Sequence, residues 1–208
     1  MNILAIGAHP DDIELGCAGT LLRHVRAGQQ VFYLIMSQGS QGGDAARRVE
    51  EQEAAAKRLG VKRVFWGNCT DTEFNVSRDM VALIEGVCAE VRPDEVYVNY
   101  LNDSHQDHRA LAKATISATR YIPRVLFYED YTSLDFNPEI FVDIGTVLEE
   151  KIEVVKCHRS QISRVQNAPH GGLDMLESVR AVAHFRGFQG KVRHAEGFKP
   201  LRYLKMVD

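Results

Sequence analysis

The sequence predicts an α/β protein: a Rossmann-like, doubly wound, mainly parallel sheet flanked by helices and followed by a C-terminal extension. Three observations lead there. Short apolar runs alternate with longer segments of helical periodicity over the first 130 residues, the pattern of βαβ units with right-handed crossovers. The first run, Asn2–Ala8, is continuously apolar and ends in Gly and Pro, as a strand buried on both faces does. The 208 residues contain no internal repeat and no Ser/Gly/Pro-rich linker, and at roughly 150 residues per domain that length makes one domain. Residues 1–130 form its core, and residues 131–208 are expected to shape the substrate site.

The elements follow in order. Leu15–Ala27 carries Leu15, Ala18, Leu22 and Val25 at helical spacing and stops at Gly28. Val31–Met36 is a second strand. Asp44–Leu59, rich in Ala, Glu and Arg, is a helix ended by Gly60. Val64–Trp66 is a short strand, Asp79–Val91 a helix stopped before Pro93, and Glu95–Asn99 a strand. A helix over His108–Arg120 and a strand over Val125–Tyr128 complete the core. Beyond it the pattern predicts a strand at Phe141–Ile144 and helices at Thr146–Cys157 and Leu173–Phe185.

Composition narrows the function. Apolar residues make up 45% and charged residues 25%, the balance of a globular domain with a sizeable core. Lys and Arg number 25 against 28 Asp and Glu, for a net charge of −3, which argues against a nucleic-acid binder. No apolar run approaches the roughly 20 residues that span a bilayer. The opening Met1–Gly7 lacks the basic leader of a signal peptide. Cys17, Cys69, Cys88 and Cys157 stand far apart with no C-x-x-C pair and read as reduced thiols. The expectation is a cytoplasmic protein without a membrane span, and a homo-oligomer is compatible with it.

Two clusters carry chemistry. The first strand runs out into His9-Pro10-Asp11-Asp12-Ile13-Glu14, and the fourth into Asn102-Asp103-Ser104-His105-Gln106-Asp107-His108. In doubly wound sheets ligands bind beyond the carboxyl ends of the strands, where the strand order reverses, so these two loops face each other across one crevice. Two imidazoles and a carboxylate make a tripod for a divalent ion that leaves room for water. Adjacent side chains diverge, so one of Asp11 and Asp12 ligates while the other flanks the open position as a base. His105 and His108 share a helix face; one ligates and the other reaches the reacting carbonyl, with Asp107 fixing a ring N–H. Taken singly, each cluster also reads as an ordinary turn or helix cap; together, each at a strand's carboxyl end, they read as a metal-hydrolase site.

His9-Pro10-Asp11-Asp12-x-Glu14-x-Gly16, then Gly19-Thr20-Leu21, and later His105-x-Asp107-His108 resemble the LmbE-like or PIG-L family of N-acetylglucosaminyl deacetylases. Arg48-x-x-Glu51-x-x-x-Ala55 with Leu59-Gly60 matches as well; Arg159-Ser160-Gln161 and His194-Ala195-Glu196-Gly197-Phe198 match more loosely. The resemblance implies that His9, Asp12 and His108 hold Zn²⁺ (Fe²⁺ or another divalent metal also suits the set), with Asp11 the general base. It implies that His105 stabilises the oxyanion or protonates the leaving amine, that Asp107 orients His105, and that Arg48 contacts substrate. The implied partner is a small N-acetylated amino sugar, from which acetate is released. Hydrolysis of another small amide on the same tripod is the alternative, and a non-catalytic metal- or sugar-binding module a third reading.

Smaller features carry their own expectations. Ser37–Gly43 reads equally as a cradle of backbone N–H groups for a substrate hydroxyl or phosphate and as a flexible turn into the helix capped by Asp44, and it lacks the G-x-G-x-x-G and P-loop patterns of nucleotide binders. Cys17 is expected in the helix core, Glu196 at the site, and His170 in a loop beside it. Tyr97, Tyr100, Tyr128 and Tyr131 are expected as core and rim aromatics.

Overall fold

The computed structural model describes residues 1–166 and 172–205, those from 163 to 166 by their backbone. His170 lies outside the described residues. A seven-stranded sheet in the order β3-β2-β1-β4-β5-β7-β6 organises the chain. Its strands are β1 (Asn2–Gly7), β2 (Gln30–Ile35), β3 (Arg63–Trp66), β4 (Glu95–Asn99), β5 (Arg124–Tyr128), β6 (Ile140–Asp143) and β7 (Ala195–Tyr203). The helices are α1 (Asp12–Arg26), α2 (Ala45–Leu59), α3 (Arg78–Val91), α4 (Gln106–Ala118), α5 (Leu148–Val155), α6 (Arg159–Gln166) and α7 (Met175–Gly190).

The doubly wound expectation holds where the site depends on it. β1 pairs in parallel with β2 on one side and β4 on the other, so the strand order reverses at β1 and a crevice opens beyond Gly7 and Asn99. Every β1 residue from Ile3 to Ile6 is fully buried because both faces are covered. Ile3 and Ala5 join Ile13, Leu21, Ala55, Leu59 and Ile152 on one face; Leu4 and Ile6 join Ile84, Leu111 and Val125 on the other. The two-residue period of a strand makes this division. Cys17 packs in the first of these clusters, as expected.

Several boundaries move, for physical reasons. α1 begins at Asp12 and α4 at Gln106, each earlier than apolar periodicity suggests, because their first turns are polar and carry the site. α2 is capped by the Asp44 side chain, which accepts from the Arg47 amide, and ends at Gly60 with φ 94°. α7 starts with a full capping box of Asp174 and Glu177 and continues to Gly190. Beyond a short 3₁₀ turn at Ser40–Gly42, two larger elements are additions. Arg159–Gln166 is a helix, and Ala195–Tyr203 is a strand pairing antiparallel with both β5 and β6.

Candidate metal centre

The β1–α1 turn is built around Asp12. Its Oδ2 accepts from the backbone N–H of Ala8 (2.9 Å) and of His9 (3.0 Å) and from Asn99 Nδ2 (3.2 Å). Asn99, at the end of β4, also accepts from the Ala8 amide through Oδ1, so the two strand ends are stitched together. Asp11 precedes the helix at φ 96°, ψ −27°. For a residue other than glycine this conformation costs about 1–3 kcal/mol and persists only where surroundings enforce it.

His9 and His108 converge from the two loops. His9 Nδ1 lies 3.3 Å from His108 Nε2 and 3.7 Å from Asp12 Oδ2, and His108 Nε2 lies 3.4 Å from the same oxygen. Donor atoms each ~2.0–2.1 Å from one tetrahedral ion stand roughly 3.3 Å from one another, so this triangle fits a small divalent cation. The far nitrogens rest on carboxylates. His9 Nε2 is 3.0 Å from Asp71 Oδ1 and 3.2 Å from Asp107 Oδ2; His108 Nδ1 is 3.2 Å from Asp103 Oδ2 and 4.0 Å from Asp130 Oδ2. Carboxylate-backed imidazoles are the usual support of a metal centre. Among the described residues the acid- and histidine-rich groupings able to hold an ion, such as His9-His105-His108 and Asp12-His108-Asp130, all include His9 or His108.

Burial and charge set the proton affinities. Burial disfavours the imidazolium of His9, but Asp107, Asp12 and Asp71 outweigh it and push its pKa up to about 12. His108 is likewise disfavoured by burial and raised to about 10 by Asp12, Asp103 and Asp130. Burial works against ionising Asp12, and the two imidazoles overcome it, holding the carboxyl well below its ordinary range. Asp11 differs: burial pushes it up to about 6, with Arg48 and His158 pulling the other way. The two adjacent aspartates are thus driven apart in pKa, which is how environments assign different roles to like groups. Burial, with His9 and His108 nearby, lowers His105.

His105 caps α4, its Nδ1 accepting the Asp107 amide at 3.2 Å. That bond leaves the neutral ring with its proton on Nε2, as a donor. The ring stands 4.7 Å from those of His9 and His108. Asp107 does fix an imidazole, but the ring it touches is His9's; its other bonds come from the Thr72 and Phe74 amides. Its contacts differ from the expectation that it orients His105 because the carboxylate leaves the first turn of α4 toward β3's loop.

Arg48 is only 5% exposed. It donates to Gly39 O (2.9 Å) and Pro10 O (2.6 Å), and its Nη2 lies 3.3 Å from Asp11 Oδ1. Its bonds therefore go to two backbone carbonyls and to the Asp11 carboxylate, although the residue also lines the crevice. Gly39, at φ 67°, leaves room for the guanidinium: a Cβ there would sit 2.3 Å from Arg48 Nη1 and displace it. In the same loop the Gln41 amide donates to Asp71, orienting an acid rather than standing open for substrate.

The crevice measures ≈390 Å³ and includes Asp11, His105, Gln41 and Gln161 together with Tyr131 and Met175 from the last third of the chain. A second cavity of ≈340 Å³ shares Leu15, Asp130 and Tyr131 with it. Glu196 lines that second cavity, where it binds Lys151 and the Gly19 and Thr20 amides. Tyr97 and Tyr128 are core residues, Tyr100 packs on Phe127 and Phe136, and Tyr131 is the rim aromatic. Sequence reasoning assigned no supporting role to Asp71, Asp103 or Asp130. The signal that finds them is an acid a few residues beyond the carboxyl end of β3, β4 or β5.

Comparison with known proteins identifies relatives of this chain. Over 171 residues the chain is 38% identical to the uncharacterized deacetylase YaiS of Escherichia coli (strain K12), covering 76% of this chain and 91% of that protein. It is 30% identical to the diacetylchitobiose deacetylase of Thermococcus kodakarensis, covering 95% and 82%. The structure of N,N'-diacetylchitobiose deacetylase from Pyrococcus horikoshii superposes with a TM-score of 0.81 at 27% identity, covering 96% of this chain and 83% of that one. The family model for PIG-L, GlcNAc-PI de-N-acetylase, matches residues 4–119. With the match spanning more than half of the chain and both motif loops inside it, this protein belongs to the PIG-L family.

Proposed function

We propose that the protein is a metal-dependent hydrolase that removes the acetyl group from an N-acetylglucosamine-type amino sugar or its conjugate, with zinc as the resident ion. One observation carries the reading: three donor atoms from His9, Asp12 and His108 stand 3.3–3.7 Å apart, and a carboxyl tuned to about 6, that of Asp11, flanks them. The deacetylase relatives support the bond broken and the sugar class.

His9, Asp12 and His108 would hold the ion. A divalent cation there supplies a Lewis acid that polarises the acetyl oxygen and makes water a better nucleophile near neutral pH. Asp11 accepts a proton from the water that attacks the acetyl carbon, a task matched to a base of pKa near the operating pH. Arg48 fixes the carboxylate in place. His105 donates an Nε2–H hydrogen bond to the developing oxyanion, and as the C–N bond breaks the departing amine takes up the proton that Asp11 received. Asp107 acts through His9. Residues 131–208 form an extension whose Tyr131 and Met175 shape the sugar's surroundings.

The holoprotein is tested on free, glycosidic and nucleotide-linked N-acetylglucosamine and on unrelated acetamides, reading released acetate. Turnover of at least one sugar above the unrelated amides is expected. Preference for a non-sugar amide, or no turnover by metal-loaded protein, overturns the reading.

A further inference from the structure

We infer that Gln52, braced by Glu14 and His158, is a positioning residue for Asp11, acting from behind the crevice; the inference rests on Asp11 serving as the base. Asp11 sits at the N-cap of α1 in a left-handed conformation, and its side chain makes no capping bond to the helix. Its N–H instead donates to Gln52 Oε1 at 3.1 Å, from the middle of α2. Gln52 Nε2 donates to Glu14 Oε1 at 2.9 Å. A backbone N–H can only donate and a carboxylate can only accept, so one orientation of the amide satisfies both neighbours. Glu14 Oε2 in turn lies 3.3 Å from His158 Nε2, in the turn between α5 and α6.

Gln52 and Glu14 are wholly buried, His158 is 1% exposed, and none of the three lines the crevice. The packing of α2 on the core is supplied by Ala55, Ala56 and Leu59, which need no polar chain between them. Arg48 stands one helical turn before Gln52 on the same helix and holds the Asp11 carboxylate. α2 therefore grips Asp11 twice, at the side chain through Arg48 and at the backbone through Gln52.

Four variants decide it, assayed as holoprotein well below their melting temperatures: Gln52→Leu, Gln52→Glu, the swap Glu14→Gln/Gln52→Glu, and Asp11→Asn. Gln52→Leu is expected to lower kcat by about 10–100-fold, the usual effect of losing an outer-sphere support, with KM and metal content unchanged. Gln52→Glu keeps an acceptor toward Asp11 but sets two carboxylates face to face; the swap returns a donor opposite the new carboxylate and should recover most of the kcat that Gln52→Glu loses. Wild-type kcat in Gln52→Leu overturns the inference. So does a folded swap variant no better than Gln52→Glu, or loss of metal accompanying the loss of rate. If Gln52→Leu does not fold, the Gln52→Glu and swap pair carries the test. Full activity in Asp11→Asn would instead sink the base assignment itself, which separates the two failures.

Discussion

At the residue scale the site works by giving like groups unlike surroundings. Asp12 receives three N–H donors and faces two imidazoles, whereas its neighbour Asp11 is buried against a single guanidinium. The proposed role of Asp11 as base requires its ionised form, which exists only above its pKa, so on that proposal kcat/KM should fall as pH drops through about 6. Arg48 pulls that pKa down; Arg48→Met removes the pull, so the acid limb of the pH–rate profile should move to higher pH. A limb that stays in place or moves to lower pH would contradict the pairing. His105→Ala should lose about 10²–10³ in kcat, the usual effect of deleting an oxyanion donor, while metal content measured by elemental analysis stays at the wild-type level. The two motif loops were readable because Asp and His cluster in them without interruption. Asp71, Asp130 and Gln52 were not, since each lies outside those loops and gains meaning only from which strand or helix end lies opposite; Asp103 lay within the second loop, but its bond to His108 shows only in the fold.

At the scale of elements, what could be read from the sequence followed apolar continuity. β1, β2, β4 and β5 are uninterrupted apolar runs because both faces of the sheet are covered, and they stood out. α1 and α4 were found with starts displaced, because their first turns hold Asp12, Asp107 and His108 in place of apolar residues. β7 escaped because Gly197 and Pro200 break its run and charged residues occupy its outer half; its place depends on an antiparallel partner on each side. α6 is polar over most of its eight residues, and two apolar positions, Ile162 and Val165, are too few to mark a helix in the sequence. The packing of α1 on the sheet gives an independent check. A Cβ on Gly16 would meet the Tyr128 ring at 2.2 Å, and Tyr128 is anchored by its hydroxyl to Ile6 O at 2.9 Å. Gly16→Ala should therefore cost about 1–3 kcal/mol as an overpacked core does, read as a lower melting temperature; an unchanged melt would show that the helix can withdraw freely.

Across the whole molecule, function arises where the two halves of a doubly wound sheet meet. Neither loop alone can assemble the tripod: His9 and Asp12 come from the end of β1, His108 from the start of α4, and the pairing of β1 with β4 brings them within reach. Because an ion held by the folded chain stabilises it by mass action, about 2.7 kcal/mol at a hundredfold excess over Kd, chelation should lower the melting temperature of wild-type protein and leave that of His9→Ala unmoved. Among the described residues no helix is long and apolar enough to cross a membrane. The most direct test of the convergence is the metal content per chain of wild-type, His9→Ala, His108→Ala and Asp11→Asn proteins purified side by side. One ion per chain in wild-type and Asp11→Asn, with its loss in both histidine variants, is the predicted result; an undiminished ion in His9→Ala and His108→Ala would contradict it.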